Sequence, residues 1–255
     1  MLLVIDVGNT QTVLGVYDGA QLIVSWRLST DIRKSGDEFW VILRNLFRES
    51  ELETNAIDGI CLSSVVPPLQ GMLEEVCARY FRCDPILVEP GVKTGLSVLY
   101  DNPREVGADR IVNSVAGINL YGGPLIIVDF GTATTFDAVS AKSEYLGGAI
   151  VPGITISAEA LFQRAAKLSR VELIAPKTVI GKDTASSIQS GLVYGYAEMV
   201  DGMVRRMKKE MEGSPRIIAT GGNAEIIAEH SEEIEEVNPL LTLVGLRIIY
   251  EKNRA

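Results

Sequence analysis

Three aspartates of this 255-residue chain stand in settings that suit chemistry. Asp6 closes a β-branched run in VIDVGNTQTVLGV, residues 4–16, and Gly8-Asn9-Thr10 follow it. Asp129 follows Ile126-Ile127-Val128 and opens DFGTATT. Both segments share the spacing D-x-G-x-x-x-T: Asp6, Gly8 and Thr12 recur as Asp129, Gly131 and Thr135, 123 residues on. Glycine lets a ligand approach the backbone closely. Successive N–H groups and Thr or Asn side chains donate to phosphate oxygens. The carboxylate repels phosphate, so it acts through a cation and its waters. An aspartate in a hairpin turn with no ligand is the plainer reading of one copy. The recurrence in the same context favours a site.

Asp109 lies in YDNPREVGADRIVN, residues 100–113, directly after the small pair Gly107-Ala108. An exposed Asp–Arg pair stabilises little. Val106, Ala108, Ile111 and Val112 around it argue against a wholly solvated face. A carboxylate near a cleft accepts a substrate proton, and Arg110 can fork onto a carboxylate or phosphate. Three further stretches turn from one element into another: GGAIVPG, GKDTASSIQSG and IIATGGNAEI. In the second, Asp183 or Thr184 is placed as an N-cap, and a helix N-terminus also suits an anion. Gly191 and Gly195 behind it predict close helix packing. In the third, Gly221-Gly222 could present backbone to a nucleobase or ribose. The single histidine, His230 in AEHSEEIEE, reads as a solvated helix end, so acid–base work rests on carboxylates, lysines or tyrosines.

Period-2 patterning predicts strands over 2–7, 12–17, 22–28, 59–66 and 85–88, then again over 125–128, 134–140, 145–150 and 216–219. Helical spacing predicts helices over 37–48, 69–81, 103–119, 157–166 and 183–212, from about Ala224, and from about Pro239. The order is one βββ-α-β-α unit used twice. The expected class is therefore α/β with two duplicated domains, 1–118 and 119–255, the last helix packing back on the first domain.

Composition sets the outer limits. The chain is 47% hydrophobic and 22% charged, enough for a substantial core. A net charge of −9 argues against nucleic-acid binding. Cys61, Cys77 and Cys83 are odd in number and lack C-x-x-C spacing, so free thiols in a reducing compartment are expected. Asp6 comes too early for a signal peptide, and no apolar run is long enough to span a membrane. A cytoplasmic protein without membrane contact is the expectation. There is no G-x-x-x-x-G-K-[ST], and no G-x-G-x-x-G follows a strand.

DVGNT, YDNPREVGADR, DFGTATTFD, GGAIVPG, GKDT and ATGGN, in this order from residue 6 to about residue 223, resemble type III pantothenate kinases. No motif position departs from the pattern. The resemblance implies two ribonuclease-H-like domains of the actin, Hsp70 and sugar kinase superfamily, with ATP between them. It implies transfer of the γ-phosphoryl group to the 4′-hydroxyl of pantothenate, the first step of coenzyme A synthesis. It implies Mg²⁺, a monovalent cation (potassium or ammonium), and a homodimer. Carried over by position, Asp6, Val7, Gly8, Asn9, Thr10, Gln11, Thr12 and Val13 form the ATP phosphate loop, joined by Thr132. Asp109 is the general base. Tyr100, Gly107, Ala108, Asp109 and Arg110 line the pantothenate pocket. Asp129 binds the monovalent cation, and Thr184 touches pantothenate from across the dimer. The rival readings are another kinase or phosphatase of the superfamily, and a non-catalytic transcription accessory factor.

Overall fold

A computed structural model describes residues 1–165 and 168–254. The chain divides into two compact units. The first comprises Met1–Leu96, Asp101–Ala116 and the segment from Leu241 onward; the second comprises Ser97–Tyr100 and Gly117–Leu240.

In the first unit, β1 (Leu2–Val7), β2 (Gln11–Asp18) and β3 (Gln21–Ser29) form an antiparallel meander. α1 (Gly36–Glu49) then leads to β4 (Gly59–Ser64), which pairs parallel with β1. Ser35 starts α1 through a capping box with Glu38. α2 (Pro67–Val76) follows, with prolines in its first turn, where a missing N–H is harmless. It is shorter than its apolar pattern predicts, because Cys77–Phe81 widens into a π turn that Arg82 ends in left-handed geometry. β5 (Ile86–Leu87) completes the sheet order β3-β2-β1-β4-β5.

One face of this sheet, with Leu3, Ile5, Leu14, Val16, Ile60 and Leu62, packs on Phe39, Leu43 and Phe47 of α1 and Leu69 and Leu73 of α2. The other face carries Leu2, Val4, Tyr17 and Cys61. It packs on Val112 and Val115 of α3 (Ala108–Tyr121) and on Leu243, Leu246 and Ile249 of α7 (Leu241–Asn253). The helix expected from Pro103 begins at Ala108 instead. Pro103–Glu105 makes one 3₁₀ turn, capped by Asn102, and Val106 returns to extended backbone. Cys61, Cys77 and Cys83 are free thiols, and burial pushes Cys61 and Cys77 up to about 12.

The second unit repeats the plan. β7 (Leu125–Phe130), β8 (Ala133–Val139) and β9 (Glu144–Pro152) form the meander, and β10 (Arg216–Thr220) pairs parallel with β7. Between them run α4 (Ile154–Arg164) and α5 (Thr184–Met207). α4 starts three residues before the expected helix, whose last residue, Ala166, lies outside the described residues. α6 (Ala224–Ala228) and β11 (Glu236–Val237) follow β10. The sheet order β11-β10-β7-β8-β9 matches that of the first sheet strand for strand, and β6 (Ser97–Val98) extends it beside β9. Ile126, Val128, Phe130 and Phe136 pack on Leu192, Val193, Ala197, Val200 and Val204 of α5. Among the described residues no helix is long and apolar enough to cross a membrane.

α7 approaches α3 so closely that a methyl group at Gly245 would fall inside the van der Waals shell of the Val112 carbonyl oxygen. Alanine favours a helix over glycine by about 1 kcal/mol. Overpacking against backbone costs roughly 1–3 kcal/mol. The steric term wins, so Gly245→Ala lowers the urea midpoint. An unchanged midpoint would show that the two helices separate freely.

Candidate active site

Asp6 is the penultimate residue of β1, opposite Val13 of β2 and beside Ser63 of β4. The residues before it are fully buried, whereas Asp6 is half-buried and Asn9, Thr10 and Gln11 are exposed. The turn is closed by the Gly8 N–H donating to Gln11 O at 3.0 Å. Thr30, just past β3, laces it from behind. Its Oγ1 donates to Gly8 O at 2.8 Å and lies 2.9 Å from Thr12 Oγ1, and its N–H donates to Thr10 O at 3.0 Å. Thr30 is absent from the sequence reading, since only strand register brings it here.

Asp109 occupies the first turn of α3, where an acidic side chain complements the helix dipole. Its Oδ1 accepts the Arg110 N–H at 2.8 Å. Gly107 caps the helix with its carbonyl, which takes the N–H groups of Arg110 and Ile111. A methyl group at Gly107 would stand 2.5 Å from Asp109 Oδ1, so the small residue before the helix makes room for the carboxylate. Asp109 is half-buried and Arg110 is buried. Burial raises the Asp109 pKa; the Arg110 N–H and the Arg110 charge pull it down less than burial pushes it up. Asp109 lies one helical turn before Val112, which packs with Val4 on one face of the first sheet. Asp6 alternates with Val4 along β1, so its side chain stands on that same face. The first unit thus holds residues 6–13 and 107–110 together, with both carboxylates on one side of its sheet.

In the second unit Asp129 is the penultimate residue of β7, opposite Thr135 and beside Thr220. Gly131 and Thr132 form an exposed tip, and Thr132 O accepts the Gly153 N–H at 3.1 Å. Gly221, at φ +94°, brings the end of β10 against Asp129; a methyl group there would lie 2.6 Å from Asp129 Oδ1. β6 carries Tyr100 to the far edge of the sheet, with its ring centroid 6.3 Å from that of Tyr145. Thr184 is the first residue of α5 and exposed; Asp183 is the N-cap, its Oδ1 taking the Ser186 N–H at 2.9 Å. Thr184 stands apart from Asp129, on the helix that covers the opposite face. It lines a groove of about 780 Å³ with Leu161, Lys182, Ile188 and Gly191.

Among the described residues, a methyl group at Gly191 or Gly195 would meet nothing within 4 Å outside its own helix, so the close packing expected there is not made among them. One expectation needs correction. His230 is not a solvated helix end: its ring meets that of Tyr194 edge-on at 5.0 Å, and its Nε2 is buried. Among the described residues no group of three or more His, Cys, Asp or Glu could hold a metal ion.

The family model for type III pantothenate kinase matches residues 2–206. The chain belongs to the type III pantothenate kinase family. A relative of that name from Geobacter sulfurreducens is 57% identical over 254 residues, covering all of both chains. Among solved structures, a protein of Campylobacter jejuni described as a Baf family transcriptional activator aligns over 99% of this chain and 98% of its own, at 21% identity and TM-score 0.62. The ROK hexokinase of Thermus thermophilus aligns over 98% and 97%, at 14% identity and TM-score 0.50. These likenesses show the fold: this pantothenate kinase family member shares its two-sheet α/β architecture with the Campylobacter protein and with a sugar kinase.

The raised Asp109 pKa has a consequence for stability. A carboxyl group whose folded-state pKa lies above its unfolded value favours folding below the unfolded pKa and loses that contribution as pH rises through the folded pKa. Asparagine cannot titrate and keeps an acceptor for the Arg110 N–H. Asp109→Asn therefore melts at or above the wild-type temperature at pH 7.5, and the advantage disappears below the ordinary carboxylate range. Thermal melts at both pH values check this. A variant less stable at pH 7.5 than at acid pH, relative to wild type, contradicts it.

Proposed function

We propose that this chain transfers the γ-phosphoryl group of ATP to the 4′-hydroxyl of pantothenate, the opening step of coenzyme A synthesis, in the cytoplasm. The observation that carries the reading is Asp109: a half-buried carboxylate, less acidic than usual, fixed at a helix start on the same sheet face as Asp6. The Arg110 N–H on Oδ1 holds the carboxylate in place and leaves it acceptor capacity for the substrate proton. The hydroxyl becomes acidic only as its oxygen bonds to phosphorus, so a late transfer to a weak base suffices. In a loose transition state, positioning outweighs base strength. Tyr100, Gly107, Ala108 and Arg110 hold pantothenate, and Arg110 matches its carboxylate. Residues Asp6–Val13 and Thr132 receive the ATP phosphates on backbone N–H groups and hydroxyls.

Mg²⁺ and a monovalent cation, potassium or ammonium, belong to the same proposal. The donors fit hard cations, being carboxylate and carbonyl oxygens. At Asp129 the Gly221 backbone leaves a cradle beside Oδ1 that any side chain would fill. Bound there and at Asp6, the cations would neutralise phosphate charge. The homodimer is supported by the α5 side of the second unit. Gly191 and Gly195 stand open there, and Ile156, Leu161, Val179 and Ile180 are exposed apolar side chains. A second copy on that side would bring Thr184 to its partner's pantothenate.

The deciding assay supplies ATP, Mg²⁺ and K⁺ and measures ADP with and without pantothenate. ADP that appears independently of pantothenate, or not at all, overturns the reading. Asp109→Asn lowers kcat by about two orders of magnitude or more while ATP binding persists. The acid limb of wild-type kcat/KM for pantothenate lies above the ordinary carboxylate range, since burial raises the base that must be ionised. Near-normal turnover of Asp109→Asn would assign the base elsewhere.

Asp129→Ala should lose potassium activation and raise the KM for ATP. A potassium titration followed by both rate and melting temperature checks this. Potassium dependence that survives intact moves the cation site away from Asp129.

A further inference from the structure

We propose that Asp137 is a positioning residue that holds the pantothenate side of the site in register; this rests on the reading of Tyr100 as a pantothenate contact. Asp137 lies in the middle of β8 with no exposure to solvent. The proposed reaction gives it no task. A carboxylate so placed is costly unless it is hydrogen-bonded. Tyr145 Oη donates to its Oδ1 at 2.8 Å and Thr135 Oγ1 to its Oδ2 at 3.2 Å.

Both hydroxyl protons point at the carboxyl group. That fixes the tilt of the Tyr145 ring, which is itself fully buried. Tyr100 leans on that ring, with the planes at 52°. Gly147 supplies the other wall. Its φ of +120° suits glycine, and a methyl group there would sit 3.6 Å from the Tyr100 ring. The backbone before Tyr100 is pinned to the same strand, through Leu99 N–H to Tyr145 O at 2.9 Å. Main chain and ring of Tyr100 are thus both referred to β9, and Asp137 sets the one part of that reference able to tilt.

The test uses the full chain. Tyr145→Phe keeps the ring and removes the hydroxyl; Asp137→Asn keeps the shape and removes the charge. Each should raise the KM and the equilibrium dissociation constant for pantothenate roughly tenfold, with the KM for ATP unchanged. The double variant should be no worse than the more affected single one, because both remove the same interaction. If either variant melts only at lower temperature, with pantothenate binding unmoved, the role is structural and the proposal falls. Should Asp137→Asn not fold, Tyr145→Phe decides alone. Tyr100→Ala runs in parallel. If it weakens pantothenate binding while the other variants do not, the positioning role is overturned and the pocket stands. If it leaves pantothenate binding intact, the pocket reading fails and takes the positioning role with it.

Discussion

In each sheet the central strand runs antiparallel to one neighbour and parallel to the other, and the candidate chemistry follows from that. β1 is antiparallel to β2 and parallel to β4; β7 stands in the same relation to β8 and β10. At the carboxyl end of such a strand the chain turns back on one side, while the parallel neighbour departs for a helix on the other. The backbone diverges there, as at the switch points where α/β sheets take ligands. Side chains along β1 and β7 are covered by helices, but the last polar position cannot be. Asp6 and Asp129 are therefore half-buried at the ends of strands whose other central residues are sealed. A strand end of this kind accepts a carboxylate without the full penalty of burying charge.

The other aspartates show how differently one side chain is handled. Asp31 is half-buried, and Arg33, itself exposed, forks onto it with contacts of 3.0 and 3.1 Å, which lowers its pKa to about 2. Asp109 also precedes an arginine, yet its pKa rises, because burial outweighs the Arg110 charge. Sequence adjacency to a cation thus says little about acidity; the orientation of the fork and access to water decide it. Asp137 is a third case, sealed and held by hydroxyls from two directions. Of the three, only Asp109 combines a raised pKa with a partly open setting.

Period-2 patterning and the repeated D-x-G-x-x-x-T spacing made the meanders and the duplication legible, since each strand alternates between two covered faces. β6 and β11 stayed hidden because pairing with β9 and β10 alone defines them. Pro103 misled in the other direction: it starts a 3₁₀ turn, and α3 waits for the glycine that clears Asp109. Thr30 and Asp137 were invisible as site residues, because their importance lies in which strand end or ring they meet. His230 looked solvated among five glutamates in nine residues, but the ring of Tyr194, thirty-six residues earlier, covers it.

The duplication is close in its strands and looser in its turns, and the turns are where the two proposed tasks differ. The first turn is braced from behind by Thr30, a polar contact that leaves Asn9, Thr10 and Gln11 exposed. The second is braced by backbone, Gly153 on Thr132 and Gly221 on Asp129, which crowds the carboxylate with main chain. Hydroxyl bracing keeps a tip of amide groups suited to phosphate oxygens. Main-chain bracing leaves one carboxylate oxygen at a tight backbone turn, the setting in which the proposal puts a cation. In a chain of net charge −9 the 24 Lys and Arg side chains are outnumbered by 33 Asp and Glu, so the overall field repels a polyphosphate. On the proposed reading, two unlike turns on one repeated strand plan, one presenting dipoles and one holding a counter-ion, would answer that electrostatic problem without changing the net charge.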